Sequence, residues 1–239
     1  MCISHFSNAD LRTSPERSRA PRIALINPNT SEASTQLMVE IARDAAGPDV
    51  IIEGFTAGSG SPLITCGEEL STAASAVADL IRAGVVHDFD GVVISAFGDP
   101  GIDEARELLN APVVGLAEAS LREAAEFGGK FSVATTTPQL IPAMSEYIDR
   151  QGLGDGLQTI RATQGNLADV MSDAAAMESA LTTVVEEISA SGDVRSIIIG
   201  GGPLAGAARS LAADSAVHII EPIPAAIRLV LKQLQVAKA

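Results

Sequence analysis

Gly91-Val92-Val93-Ile94-Ser95-Ala96-Phe97-Gly98-Asp99-Pro100-Gly101 is a short apolar run that ends in a turn rich in glycine and proline. A run apolar at every position is the mark of a strand covered on both faces, as in a parallel sheet flanked by helices. About a hundred residues later the chain repeats the arrangement in Ser196-Ile197-Ile198-Ile199-Gly200-Gly201-Gly202-Pro203-Leu204-Ala205-Gly206. Each copy is followed by another strand and an abrupt turn, at Pro112-Val113-Val114-Gly115-Leu116-Ala117-Glu118 and at Val217-His218-Ile219-Ile220-Glu221-Pro222-Ile223-Pro224. Two similar α/β halves related by a pseudo-twofold axis account for the repeat. In open parallel sheets ligands bind beyond the carboxyl ends of the strands, so a cleft between the halves is expected there.

Outward from these two stretches the alternation continues. Strands are expected at Arg22–Ile26, Val50–Phe55, Gly91–Ser95, Pro112–Val114, Phe131–Ala134, Leu157–Arg161, Ser196–Ile199 and His218–Ile220. Helices are expected at Ser31–Ala45, Cys66–Ala83, Ile102–Leu109, Ser120–Phe127, Pro138–Gln151, Ala174–Ser191, Gly206–Ala213 and Pro224–Ala237. Strands alternating with helices predict an α/β fold, each half a short parallel sheet flanked by helices. The division read from the sequence is a flexible leader over residues 1–21, a first half of residues 22–114 plus 221–239, and a second half of residues 115–220. The stretch up to Arg22 carries Arg12, Arg17, Arg19 and Arg22 among Ser and Pro and has no apolar core, unlike a signal peptide; Asp10 and Glu16 weaken a mitochondrial presequence.

The chain has 239 residues, with Lys+Arg 16 against Asp+Glu 30 and a net charge of −14. That balance excludes nucleic acid and anionic membranes as expected partners, because phosphate recognition needs a basic face. Apolar runs of strand length are far short of the ~20 residues of a membrane span. Two cysteines, Cys2 and Cys66, make no disulfide framework, and a reducing cytoplasm is the expected location. No His/Cys/Asp/Glu cluster has metal-ligand spacing, so no metal is expected. Gly200-Gly201-Gly202-Pro203 lacks both P-loop and dinucleotide spacing, so no nucleotide is expected either.

Four strings carry a resemblance to a known family. Ile26-Asn27-Pro28-Asn29-Thr30-Ser31, Phe97-Gly98-Asp99-Pro100-Gly101, Gly115-Leu116-Ala117-Glu118-Ala119 and Val133-Ala134-Thr135-Thr136-Thr137-Pro138 each follow a strand. In these positions the chain resembles the aspartate/glutamate racemase superfamily, in its hydantoin and allantoin racemase branch, from Arg22 to the end. The resemblance implies a two-half α/β fold, a homo-oligomer, no cofactor, and chemistry at a carbon next to a carbonyl of a small carboxylate or cyclic amide. It also implies one cysteine on each half, the two facing opposite sides of the substrate carbon, one abstracting the proton and the other returning it. The family's first cysteine position holds Ala96, and the second falls in Gly200-Gly201-Gly202. Neither can carry a proton, so an isomerase-type reaction on this chain cannot use the two-cysteine mechanism.

The remaining candidates divide by chemistry. Asn27, Asn29, Thr30 and Ser31 lie at a strand-to-helix turn, where free N–H groups and short polar side chains suit a carboxylate or imide oxygen; helix capping is the competing role. Thr135 and Thr136 are the equivalent candidates in the second half, with Thr137 as a cap before Pro138. Ala96, Phe97, Gly201, Gly202 and Pro203 are expected to line the substrate site, the glycines letting backbone approach a ligand closely. Asp99 either engages substrate or hydrogen-bonds its own turn. Ser95 is a weak nucleophile with no adjoining base. Cys66 lies at a helix start, which favours a reactive thiol, though a lone cysteine is commonly a small hydrophobe. Glu221 stands at a strand's carboxyl end and is the best-placed general base; a helix-start carboxylate is the alternative. Besides an isomerase-type enzyme, a hydrolase or lyase using Glu221, Asp99 or Cys66 and a binding protein without catalysis stay open.

Overall fold

The computed structural model describes residues 19–237. Of the leader, residues 1–18, with Cys2, lie outside the described residues. Two of the leader's last three residues are tied to the fold. Arg19 pairs with Asp90 at 2.9 Å, and the carbonyl of Pro21 accepts from the N–H of Ile51 at 2.9 Å.

Eight strands form among the described residues. The first sheet contains β1 (Arg22–Asn27), β2 (Ile51–Thr56), β3 (Gly91–Ile94) and β4 (Val113–Gly115) in the order β2-β1-β3-β4. The second contains β5 (Lys130–Thr135), β6 (Leu157–Ala162), β7 (Val194–Ile199) and β8 (His218–Ile220) in the order β6-β5-β7-β8. Every pairing is parallel. The two orders are the same pattern, first strand against third, so the repeat in the sequence is a repeat in space. The helices are α1 (Glu32–Ala46), α2 (Gly67–Arg82), α3 (Ile102–Leu108), α4 (Leu116–Phe127), α5 (Ile141–Arg150), α6 (Leu167–Val170), α7 (Ala174–Ala190), α8 (Ala205–Asp214) and α9 (Pro222–Ala237).

Alternation along the strands builds the layers. On β7, Ile198 joins the main core together with Leu25 and Val93 of the first sheet, whereas Ile197 and Ile199 pack with residues of α7 and α8. A third cluster fills the outer face of the first sheet, from Ile26 and Ile94 to Val77 and Ile81 of α2. The main core draws on both halves, from Ile23 and Met38 to Phe131, Ile198 and Ile227. α9 packs on α1, α4, β3 and β4, closing the first sheet with the last helix of the chain.

Two helices begin earlier than expected. α4 begins at Leu116 instead of Ser120, directly after β4, and α9 begins at Pro222 instead of Pro224. For α4 the orphan N–H groups of the first turn are met by a carboxylate far away in sequence: Asp99 accepts from Ala117 at 2.7 Å and from Glu118 at 2.8 Å. Capping by a distant side chain leaves no local signal. The four-residue α6, capped by Asn166, is an element beyond those expected from the sequence.

Candidate functional site

A narrow cavity of about 40 Å³ opens where the carboxyl ends of the four inner strands meet. Asn29 follows β1, Ala96 and Phe97 follow β3, Thr136 and Thr137 follow β5, and Gly200–Leu204 follow β7. Its apolar wall adds Leu63, Ile64, Leu140, Met144 and Met171. The two halves touch here. A Cβ on Gly202 would lie 2.4 Å from the carbonyl oxygen of Ser95, so only glycine permits this approach of the loop after β7 to the loop after β3. A Cβ on Gly200 would lie 2.9 Å from Val133 Cγ1 and 3.6 Å from the Phe97 ring. Gly201 is different: its Cβ would meet only Leu204, at 3.1 Å, and its φ of 160° is extended backbone open to any residue.

The polar groups on the lining are few. Asn27, just behind it, is buried and fully engaged: its Nδ2 donates to Asn29 Oδ1 at 2.9 Å, Thr35 Oγ1 at 3.0 Å and the Ser31 carbonyl at 3.1 Å, and its Oδ1 accepts from Asn29 N–H. That network fixes Asn29, whose Oδ1 also accepts from Ser31 N–H, and leaves the Asn29 Nδ2 without an acceptor among the described residues. The Thr136 hydroxyl has no partner among the described residues, nor do the N–H groups of Phe97 and Gly202. Residues with unpartnered donors from both halves therefore line one cavity, and no ionisable side chain lines it among the described residues. Such an arrangement can hold a carbonyl or carboxylate oxygen and stabilise charge on it. It offers no side chain that can take up a proton.

Of the sequence candidates, Asn29, Ala96, Phe97, Thr136, Gly201, Gly202 and Pro203 line this cavity. The others do not, for reasons that tertiary contacts supply. Asn27 is consumed by the turn. Thr30 is held by its N–H to the Ser61 carbonyl, and Ser31 caps α1 by accepting from Ser34 N–H. Thr135 is buried with its hydroxyl donating to the Gly200 carbonyl at 3.1 Å, tying β5 to β7. Thr137, expected as a cap, makes no capping bond with its side chain; it lines the cavity, and its hydroxyl lies 3.1 Å from that of Thr135.

None of the four catalytic candidates lines the cavity. Ser95 donates its hydroxyl to the Ile26 carbonyl at 2.8 Å and has no base beside it. Cys66 precedes α2, half-buried and away from the lining. Asp99 is turned to α4 and to Tyr147 of α5, whose hydroxyl donates at 2.5 Å. Burial pushes its carboxyl up to about 6 against the lowering effect of the Tyr147 hydroxyl and the two N–H donors. Glu221, expected as a base in the cleft, lies outside the lining of this cavity. It follows an edge strand, its carbonyl accepts from Ala225 N–H in the first turn of α9, and its Oε2, buried and without a hydrogen-bond partner among the described residues, lies 3.7 Å from Arg209 Nε. There it borders a separate groove with Phe127, His218 and Arg228. Its counterpart Glu118, by contrast, is held between Arg106 at 2.5 Å and Arg122 at 2.8 Å.

The residues that sequence reasoning missed are the apolar wall and Tyr147. Leu63, Ile64, Leu140, Met144 and Met171 look like any core residue in the sequence. Tyr147 had a signal: the only tyrosine of the chain lies on the buried face of α5, where a hydroxyl needs a partner. Among the described residues, no group of three or more His, Cys, Asp and Glu is placed to hold a metal, and no helix is long and apolar enough to cross a membrane.

Known proteins share both the sequence pattern and this architecture. Residues 23–230 match the family model for Asp/Glu/hydantoin racemase. A hydantoin racemase of Paenarthrobacter aurescens is 30% identical over 211 residues, covering 87% of this chain and 89% of that one. The allantoin racemase structure from Klebsiella pneumoniae superposes with a TM-score of 0.83 at 30% identity, covering 91% of this chain and 89% of the other. The allantoin racemase structure from Pseudomonas fluorescens gives 0.82 at 27% identity, covering 90% and 92%.

Proposed function

The chain belongs to the Asp/Glu/hydantoin racemase family, and from that premise we propose that it acts at the carbon next to a carbonyl of a small carboxylate or cyclic amide, in isomerase-type chemistry without either family thiol. The observation that carries this reading is the lining of the cavity. Residues with unpartnered donors from both halves line it, while Ala96 and Gly201 stand where the resemblance places the two thiols.

The substrate's carbonyl or carboxylate oxygens accept from Asn29 Nδ2, from the Thr136 hydroxyl and from the N–H groups of Phe97 and Gly202. As the neighbouring C–H bond breaks, the electron pair moves onto the adjacent oxygen, and the donors on it stabilise the enolate. A single such donor is commonly worth about 10²–10³ in rate. With Ala96 and Gly201 at the thiol positions, water takes up and returns the proton, which suits substrates whose C–H is already acidic. Leu140, Met144, Met171 and Leu204 receive an apolar substituent.

The absence of any ionisable side chain from the described lining favours a second reading, a protein that binds such molecules and does not turn them over. The test places the protein with a 5-substituted hydantoin, allantoin and succinimide in D₂O and follows ligand resonances and loss of the α-proton. The isomerase reading expects binding of a hydantoin-type probe, weakened by Asn29→Ala and Thr136→Val, with exchange at least about 10²-fold above the uncatalysed rate. Binding with exchange at the uncatalysed rate leaves the second reading standing. No binding by any of the probes overturns both.

A further inference from the structure

Asp99 is a buried carboxylate that the cavity chemistry leaves unused, in a backbone conformation that residues other than glycine rarely adopt, with φ at 51°. It lies three residues after Ala96, and its own N–H donates to the Ala96 carbonyl at 3.1 Å. Its carboxylate joins two helices, α4 and α5. Oδ1 accepts from Ala117 N–H, and Oδ2 accepts from Glu118 N–H and from the Tyr147 hydroxyl. The fit is close enough to dictate the residue at the end of β4: a Cβ on Gly115 would lie 2.0 Å from Asp99 Cγ. On the far side, Tyr147 stands one helical turn after Met144, which lines the cavity. A strained residue held by three donors persists only where the surrounding contacts over-determine it.

We infer that Asp99 is a positioning residue for the cavity, latching the loop that carries Ala96 and Phe97 in the first half to the wall made by α5 in the second, which carries Met144. The inference rests on the proposed function only in taking this cavity as the ligand site; the latch itself is testable without any ligand. Around it stand Glu118 with its partners Arg106 and Arg122, and Asp103, Glu104 and Arg150 border the groove on the solvent side. Arg150 also lies over the Tyr147 ring, 5.5 Å from its centre.

The chain has one tyrosine and no tryptophan, so Tyr147 is its own reporter. Two measurements on the ligand-free protein test the latch. The near-ultraviolet absorption and emission of Tyr147 are titrated in the wild type and in Asp99→Asn, and a transition centred near 6 is expected in the wild type and not in the variant. Backbone hydrogen exchange is then compared between the wild type and Tyr147→Phe, which removes one hydroxyl and keeps the ring. Loss of a hydrogen bond to a charged group predicts exchange faster by about tenfold to a hundredfold in both residues 96–98 and residues 141–148. β1 and α1 should keep their protection. If Asp99→Asn fails to fold, the Tyr147→Phe comparison still decides. Faster exchange in α5 alone, uniform loss of protection across the chain, or a tyrosine signal that ignores Asp99 would each overturn the inference.

Discussion

Ala96→Cys combined with Gly201→Cys puts a thiol on each of the two loops that meet across the cavity, and the structure says what each change costs. At position 96 the new sulfur extends a Cβ that is already present on the lining. At position 201 the new Cβ meets Leu204 Cδ1 and Cγ at 3.1 Å, so the leucine side chain must give by a few tenths of an ångström. The neighbouring glycines are poorer hosts, since position 202 would drive a Cβ to 2.4 Å from the Ser95 carbonyl oxygen and position 200 to 2.9 Å from Val133. Each single variant supplies a proton carrier to one side only; racemisation needs both. A positioned acid or base is worth about 10²–10⁴ in rate, so the double variant should racemise an optically active 5-substituted hydantoin at least about 10²-fold faster than the wild type. The gain should exceed the product of the single-variant gains, because residues acting as a unit are not additive. Polarimetry gives the loss of optical activity, and proton NMR in D₂O gives exchange on the same sample. A double variant that folds and binds the hydantoin, yet exchanges no faster than the wild type, would refute the placement of Ala96 and Gly201 on opposite sides of the substrate carbon.

Asp99 carries a pH signature whose sign follows from its environment: the folded value, raised to about 6 from 3.8, makes its contribution fully present below about pH 4 and lost as pH rises through 6. A difference of that size corresponds to about 3 kcal/mol, so chemical denaturation should find the stability difference between wild type and Asp99→Asn shrinking by that order between about pH 4 and pH 7. Asn27→Ala leaves the Ser31 carbonyl, Thr35 and Asn29 short of partners and should lower unfolding free energy by roughly 1–3 kcal/mol, whereas Thr136→Val should leave it nearly unchanged while weakening ligand binding. Gly202→Ala must push the loop after β7 off Ser95 and should cost about 1–3 kcal/mol by denaturation; a neutral result would mean the halves are not in contact there. Glu221→Gln should change neither hydantoin binding nor exchange in the same NMR assay, because its side chain borders a different groove.

Near neighbours along the chain settle its strands and helices. Runs such as Val92-Val93-Ile94 and Ile197-Ile198-Ile199 are strands because short stretches apolar on both faces suit a sheet covered by helices, and the Ala-rich stretches between them are helices by period and propensity. The repetition of that pattern is enough to announce two alike halves, and the resemblance carried by the motifs after the strands implies thiol positions at Ala96 and in the glycine run. Which polar groups stay free is settled by packing instead. Asn27 and Asn29 are two residues apart and look interchangeable in the sequence, yet one is saturated by Thr35 and Ser31 and the other keeps its amide for the cavity. Asp99 reads as a turn aspartate until α4 and Tyr147 of α5 arrive to take both its oxygens, and the same contact starts α4 four residues before its local signal. Glu221 reads as a cleft base, yet β8 is an edge strand, and the carboxylate after it lies against Arg209 and outside the cavity lining. For Asp99 and Glu221 the deciding partner is distant in the chain, and for Asn27 it comes from the helix that follows. Hydrogen-bond satisfaction depends on the groups that folding brings within about 3 Å, which local sequence does not record.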